Sequence, residues 1–139
     1  MIKDEALAFL MSHQPMPADA GLTQDLIDSY DEVRKYFESY PDSSAIELFL
    51  RSFGDGDGWG VYQLVEGVFY KCPHSDVVVA LKKVLEDECI PESIRYWSTQ
   101  IAAAFADEDL RKGLNISLNS ESIDTRDAAE LAIDMLDTK

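Results

Sequence analysis

Apolar residues recur along this chain at alternating spacings of three and four, the period of helices that bury one face. Residues 2–13 place Ile2, Ala6, Phe9, Leu10 and His13 together, and residues 23–39 do the same with Leu26, Tyr30, Val33, Phe37 and Tyr40. Further segments follow at 44–53, 59–71, 76–88, 92–106, 108–118 and 123–137. Breaks fall at Gln14-Pro15-Met16-Pro17, at Pro41-Asp42-Ser43-Ser44, at Pro73 and at Pro91, where proline and short polar side chains favour turns and helix starts. Thr23 or Gln24 opens the second helix, Asp42 or Ser43 caps the third, and Glu47 stands three residues after Ser44 as in a capping box. The one β-branched run, Val77-Val78-Val79, is short and continues into a helical pattern. The expectation is an all-α chain of about eight helices, with sequential neighbours antiparallel because the turns are short.

The last six helices repeat. Ile46, Phe49 and Leu50 align with Leu81, Val84 and Leu85, and again with Leu114, Ser117 and Leu118. In the second helix of each pair, Arg95, Ser98, Ile101, Ala102 and Phe105 align with Arg126, Ala129, Ala132, Ile133 and Leu136. The first pair offers Gly58, Val61, Leu64, Val65 and Val68 in those slots and has no arginine. One helix pair cannot bury its apolar face alone, whereas stacked pairs share a continuous core. An arginine opening the second helix, with small and large apolar residues interleaved behind it, resembles HEAT-type repeats. That resemblance implies a short α-solenoid of three repeat pairs over 42–139, with 1–41 as an N-terminal capping pair. A non-repeating helical bundle is the other reading.

Charge narrows the partners. The 139 residues carry a net −15, which argues against direct binding to nucleic acid and fits either a solvated acidic surface or a basic partner. Residues 1–57 hold 12 acids against 4 bases and residues 58–139 hold 15 against 8, so the charge belongs to the whole surface and not to a tail. No apolar run approaches the roughly 18 residues of a membrane span, and MIKDEALAFLMSHQ does not read as a signal peptide; a cytoplasmic protein is expected. Cys72 and Cys89 would lie roughly 20 Å apart at opposite ends of a helix, beyond disulfide reach. Cys72-Pro73-His74 has no second ligand pair near it for zinc.

One stretch stands apart. Gly54-Asp55-Gly56-Asp57-Gly58-Trp59-Gly60 concentrates four of the seven glycines, two acids and a tryptophan. Gly54 falls where a left-handed helix-ending glycine belongs. An EF-hand count from Asp55 puts Trp59 at a ligand position, which disfavours calcium. A phosphate loop needs a following Lys-Ser or Lys-Thr, which is missing. No cofactor or metal is expected. Two readings stay open: a flexible turn with Asp57 capping the next helix, or a recognition loop offering Asp55, Asp57 and Trp59.

On a 59–71 helix, Val61, Leu64, Val65 and Val68 would face inward, and Tyr62, Glu66 and Phe69 would form a neighbouring stripe. On 92–106, Tyr96 and Gln100 project away from the apolar comb, with Trp97 at its edge. Asp55, Asp57, Trp59, Tyr62, Glu66, Tyr96 and Gln100 are therefore the candidate partner-contacting residues, of types favoured at binding hot spots. His13 and His74 have no nucleophile at a recognised spacing, so no catalytic residue is assigned and an enzyme is not expected. The glycine-aspartate turn followed by Gly60-Val61-Tyr62-Gln63-Leu64-Val65-Glu66 looks like small bacterial helical immunity proteins of polymorphic toxin systems. That resemblance implies binding to a cognate toxin domain, such as a basic nuclease, and occlusion of its active site. A regulatory or scaffold repeat protein binding an endogenous partner is the alternative.

Overall fold

The computed structural model describes residues 1–138. They form eight α-helices linked by turns and short 3-10 segments, with no strand among the described residues. The chain divides into two compact units, Met1–Pro73 and His74–Lys139. The hairpin expected at 44–71 thus shares a unit with residues 1–41.

In the first unit, α1 (Lys3–Met11) and α2 (Gln24–Ser39) pack against each other, α1 also meets α3 (Ile46–Leu50), and α2 meets α4 (Glu66–Phe69). Helix α2 starts where its sequence says. Thr23 Oγ1 accepts from the Leu26 amide at 3.2 Å, satisfying one of the amides a helix start leaves open. Its inner face buries Ile27, Tyr30, Val33 and Phe37 completely or nearly so. Arg34 is also buried, and it is compensated by Asp31 at 2.7 Å and Glu38 at 3.0 Å on its own helix. The core here is aromatic. Tyr30 meets Phe49 edge-on at 6.2 Å and Tyr62 at 5.6 Å, Phe53 meets Tyr62 at 5.3 Å, and Phe49 meets Phe37 at 5.8 Å and Phe69 at 6.4 Å. Edge-on pairs of this kind add about 0.5–1.5 kcal/mol each beyond the area they bury. The Tyr30 hydroxyl lies 2.6 Å from Ser52 Oγ, which donates to the Phe49 carbonyl at 2.6 Å. The buried phenol is satisfied, and burial pushes its pKa far up.

Asp42 caps the 3-10 turn before α3. It accepts from the Ser44 amide at 2.9 Å and hydroxyl at 2.6 Å, and it pairs with Lys3 at 2.7 Å. Lys3 and the two Ser44 donors hold its carboxyl down at about 2, against an ordinary value of 3.8. A carboxyl lowered on folding contributes stability above its unfolded pKa, and the contribution is lost as pH falls toward the folded one. The Asp42 contribution should therefore be intact above pH 4 and vanish between about 3.8 and 2. Following the Asp42 carboxyl by NMR through this window, with Lys3→Ala raising its midpoint, checks the assignment.

The second unit holds α5 (His74–Leu85), α6 (Glu92–Ala102), α7 (Arg111–Leu118) and α8 (Ile123–Asp137). Helix α5 packs on α6 and α7 on α8, while α5 also packs on α7 and α6 on α8. Two helical hairpins lie side by side, first helix against first and second against second. Gly113 lets α7 lie close against α5, since a Cβ there would stand 2.5 Å from Leu85 Cβ. Most aligned slots are buried: Leu81, Val84, Leu85, Leu114 and Ser117, and Ser98, Ile101, Ala102, Phe105, Ala129, Ala132 and Leu136. Leu118 and Ile133 are half-buried where their counterparts Leu85 and Ala102 are buried.

The two aligned arginines also act alike. Arg95 donates to the Asp87 carbonyl at 2.8 Å, and Arg126 donates to the Ser120 carbonyl at 2.7 Å. Each ties the turn before its own helix, whose carbonyls have no helical partner. Arg95 also donates to Ser117 Oγ at 2.9 Å, which lies 2.9 Å from Thr99 Oγ1. Glu92 Oε1 accepts from Ser120 and Thr125 hydroxyls, each at 2.6 Å, joining the starts of α6 and α8.

Ser98 is fully buried, and its hydroxyl has no hydrogen-bond partner among the described residues. The aligned slot in the next hairpin is Ala129. An unsatisfied buried hydroxyl costs about 1–3 kcal/mol. Ser98→Ala should therefore raise the urea midpoint, by an amount equivalent to about 1 kcal/mol.

Candidate functional site

The glycine-aspartate segment is a clamped loop. Residues 16–19 run beside 52–55, with the Met16 amide on the Ser52 carbonyl at 2.9 Å and the Asp19 amide on the Asp55 carbonyl at 2.9 Å. The carboxylate of Asp19 then accepts from the Asp57 amide at 3.1 Å and the Gly58 amide at 2.9 Å, and its carbonyl accepts from Trp59 Nε1 at 3.3 Å. Backbone and side chain of one residue thus grip the loop at four points. Oriented amides turned onto a carboxylate are charge-assisted bonds, stronger than neutral ones.

The glycines are required for separate reasons. Gly56, Gly58 and Gly60 have φ of 105°, 59° and 90°, where L residues are strained. Gly54 does not, although it was expected to be the left-handed one. It is needed for space, because a Cβ there would stand 2.4 Å from the Met16 carbonyl oxygen and 2.6 Å from that of Pro17. Trp59 itself has φ 53° and is the one non-glycine residue with positive φ among those described. A bulky residue in that region is a genuine outlier, costing of order 1–3 kcal/mol, and such positions persist where surrounding structure imposes them.

Several expectations are corrected here. The helix predicted at 59–71 is a 3-10 turn at Gly58–Gly60, a second at Tyr62–Val65, and then α4. The left-handed residues at its start prevent an α-helical beginning. A 3-10 segment has three residues per turn, so residues three apart eclipse. Tyr62, Val65 and Val68 therefore share the inward face, each at most 1% exposed, while Leu64 is turned out and 46% exposed. Tyr62 is accordingly not a contact residue but part of the core. Its hydroxyl accepts from the Gly54 amide at 3.2 Å, and its ring fills the place a Cβ on Gly58 would take. Burial raises its pKa, and the charges of Asp19, Asp55 and Asp57 add to the rise. Phe69 is fully buried, edge-on to Phe49, and Asp57 makes no side-chain cap of the next turn, a role Asp19 takes from outside.

Asp55, Asp57 and Trp59 remain exposed, the last by 47%. Glu66 is half-buried and accepts from the Tyr70 hydroxyl at 2.9 Å. Tyr96 and Gln100 belong to the second unit and form a pair of their own, Gln100 Nε2 donating to the Tyr96 hydroxyl at 2.7 Å, with Trp97 edge-on to Tyr96 at 5.2 Å. Neither Cys72 nor Cys89 is in a disulfide. Among the described residues, no cluster of three His, Cys, Asp or Glu side chains suited to a metal occurs, and no helix is long and apolar enough to cross a membrane.

Two residues of the site were not singled out from sequence. Asp19 lies about forty positions from the amides it binds, and nothing in its local pattern marks it. Leu64 was assigned inward by the repeat register, which presumed α-helical spacing. Comparison with known proteins finds no matching family model and no significantly similar curated protein or solved structure.

Proposed function

We propose that this chain is a protein-binding module that presents Trp59 from a rigid loop to a basic partner, most simply as an immunity protein occluding the active site of a cognate toxin domain. The observation that carries this is Trp59 itself. A large aromatic side chain is half exposed, on a strained backbone, with its indole fixed by the Asp19 carbonyl. A residue needed only for packing would be buried, and a loop needed only to turn would not hold a tryptophan at positive φ. A preordered aromatic loses little conformational freedom on binding, and tryptophan is enriched at binding hot spots. Asp55 and Asp57 flank it as exposed acids, and the net charge of −15 would steer a basic domain, such as a nuclease with a phosphate-binding cleft, toward this surface.

The paired hairpins of the second unit, with an arginine anchoring each second helix, support the HEAT-like reading of the scaffold. The test is binding to the toxin domain encoded beside this gene. Trp59→Ala should weaken the complex at least tenfold, about 1.4 kcal/mol. Asp55→Asn with Asp57→Asn should slow association and flatten its salt dependence. Absence of binding by the wild-type chain removes the immunity reading, and binding untouched by Trp59→Ala removes the loop from the interface.

A further inference from the structure

The outer face of α8 is a second surface of a different kind. It exposes three large apolar side chains, Ile123 by 63%, Leu131 by 53% and Met135 by 48%. Leu131 and Met135 are one turn apart, so their side chains adjoin. Among them stand Asp124, Asp127, Glu130 and Asp134, all exposed and spaced by three, three and four residues. None of these four carboxylates enters an ion pair with a described residue. Half-buried acids of other helices are compensated, Glu47 by Arg51 and Glu86 by Lys82 and Lys112, and at the end of α8 Asp137 pairs with Arg111. The cation on α8 itself, Arg126, is half-buried and turned onto the Ser120 carbonyl. Like charges at this spacing destabilise an isolated helix by a few tenths of a kcal/mol per pair, and exposed leucine and methionine add an unfavourable solvated area.

Both features are relieved by the same partner. We infer that the outer face of α8 docks a cationic amphipathic helix, whose apolar stripe covers Ile123, Leu131 and Met135 while its lysines or arginines meet Asp124, Asp127, Glu130 and Asp134. A second copy of this chain does not fit, since it would bring an identical acidic face, and a net −15, against the first. Anionic lipid and nucleic acid are repelled for the same reason. Methionine at such a surface adapts to differing apolar partners, and a helix laid along a helical face is an established recognition mode.

The probe is a synthetic helix with a leucine stripe at i, i+3, i+4 and i+7 flanked by lysines, followed by fluorescence anisotropy at about 0.15 M salt, where exposed charges are screened beyond roughly 8 Å. The wild-type chain should bind it. Leu131→Ser with Met135→Ser should weaken binding tenfold or more at unchanged charge, and Asp127→Asn with Asp134→Asn should reduce the salt dependence. Trp59→Ala should leave it unchanged, which separates this surface from the loop. Circular dichroism checks that the exposed substitutions leave the helices intact. Equal binding by Leu131→Ser with Met135→Ser, or equal binding of a scrambled peptide of the same composition, overturns the proposal, because charge alone then explains the affinity. A wild-type dimer abolished by Leu131→Ser with Met135→Ser also overturns it, in favour of a second copy as the occupant.

Discussion

Gly54→Ala is expected to destabilise the first unit by about 3 kcal/mol, the upper end of the usual range for inserting a group where rigid atoms leave no room. The added methyl would meet the carbonyl oxygens of Met16 and Pro17 at 2.4 and 2.6 Å. These are backbone atoms and cannot swing aside as a side-chain end can. Relief requires residues 16–19 to move away from 52–55, which breaks the Met16 to Ser52 and Asp19 to Asp55 bonds together. Moving Gly54 also disturbs its amide bond to the buried Tyr62 hydroxyl. Gly60→Ala is the control. Gly60 has φ 90° but no heavy atom within 4 Å of an added Cβ, so it should cost only its backbone strain, about 1–2 kcal/mol. Urea midpoints for the two variants should therefore separate crowding from conformational freedom. Equal losses would mean that residues 16–19 yield to the added methyl and that Gly54 is not held for the space it leaves.

The difference between these glycines shows what the sequence could and could not reveal. Helix positions were legible, and so were the inward faces of their middle turns, because burial imposes a period that a single segment displays; at the helix ends Ile2 and Tyr40, which the same period places inward, are exposed. Tyr30, Val33 and Phe37 of α2, and Leu81, Val84 and Leu85 of α5, lie where that period puts them. The caps at Thr23 and Asp42 were legible too, since capping is decided within three residues. The equivalence of Arg95 and Arg126 could be read from the repeat register, and both guanidinia hold the preceding turn.

The loop was legible as unusual but not as structured. Its order comes from Asp19, across about forty residues of chain, and one sequence carries no record of such a pairing. The misplacement of Tyr62 and Leu64 has a local cause. Periodicity distinguishes a helix from a strand, but over a few residues it does not separate 3.6 from 3.0 residues per turn. The left-handed stretch Gly58-Trp59-Gly60 decides between them by denying the segment an α-helical start. The result inverts the expected surface. The tyrosine thought to meet a partner completes the core, and the leucine thought to be core is left exposed beside the tryptophan's loop.

If that loop is the presenting element, Asp19 determines whether it presents anything. Asp19→Ala removes the acceptor of two amide bonds, at 3.1 and 2.9 Å. Hydrogen bonds to a charged group contribute about 1.5–3 kcal/mol each when formed; Asp19 is partly solvent-exposed, so water recovers part of that, and the expected loss is about 2–3 kcal/mol. The loss should be local in character. The Asp57 and Gly58 amides should exchange with solvent far faster, while amides of α2 and α5 change little. Trp59, no longer imposed at positive φ, should relax toward ordinary backbone angles and show red-shifted, less anisotropic fluorescence. Asp19→Asn keeps an acceptor oxygen but loses the charge, and should fall between the two. Partner affinity should fall with loop order, through slower association and faster dissociation, although Asp19 offers the partner no more than an edge. Should Asp19→Ala free the two amides yet leave Trp59 fluorescence and partner affinity as they were, the loop's rigidity is incidental, and the tryptophan acts by exposure alone.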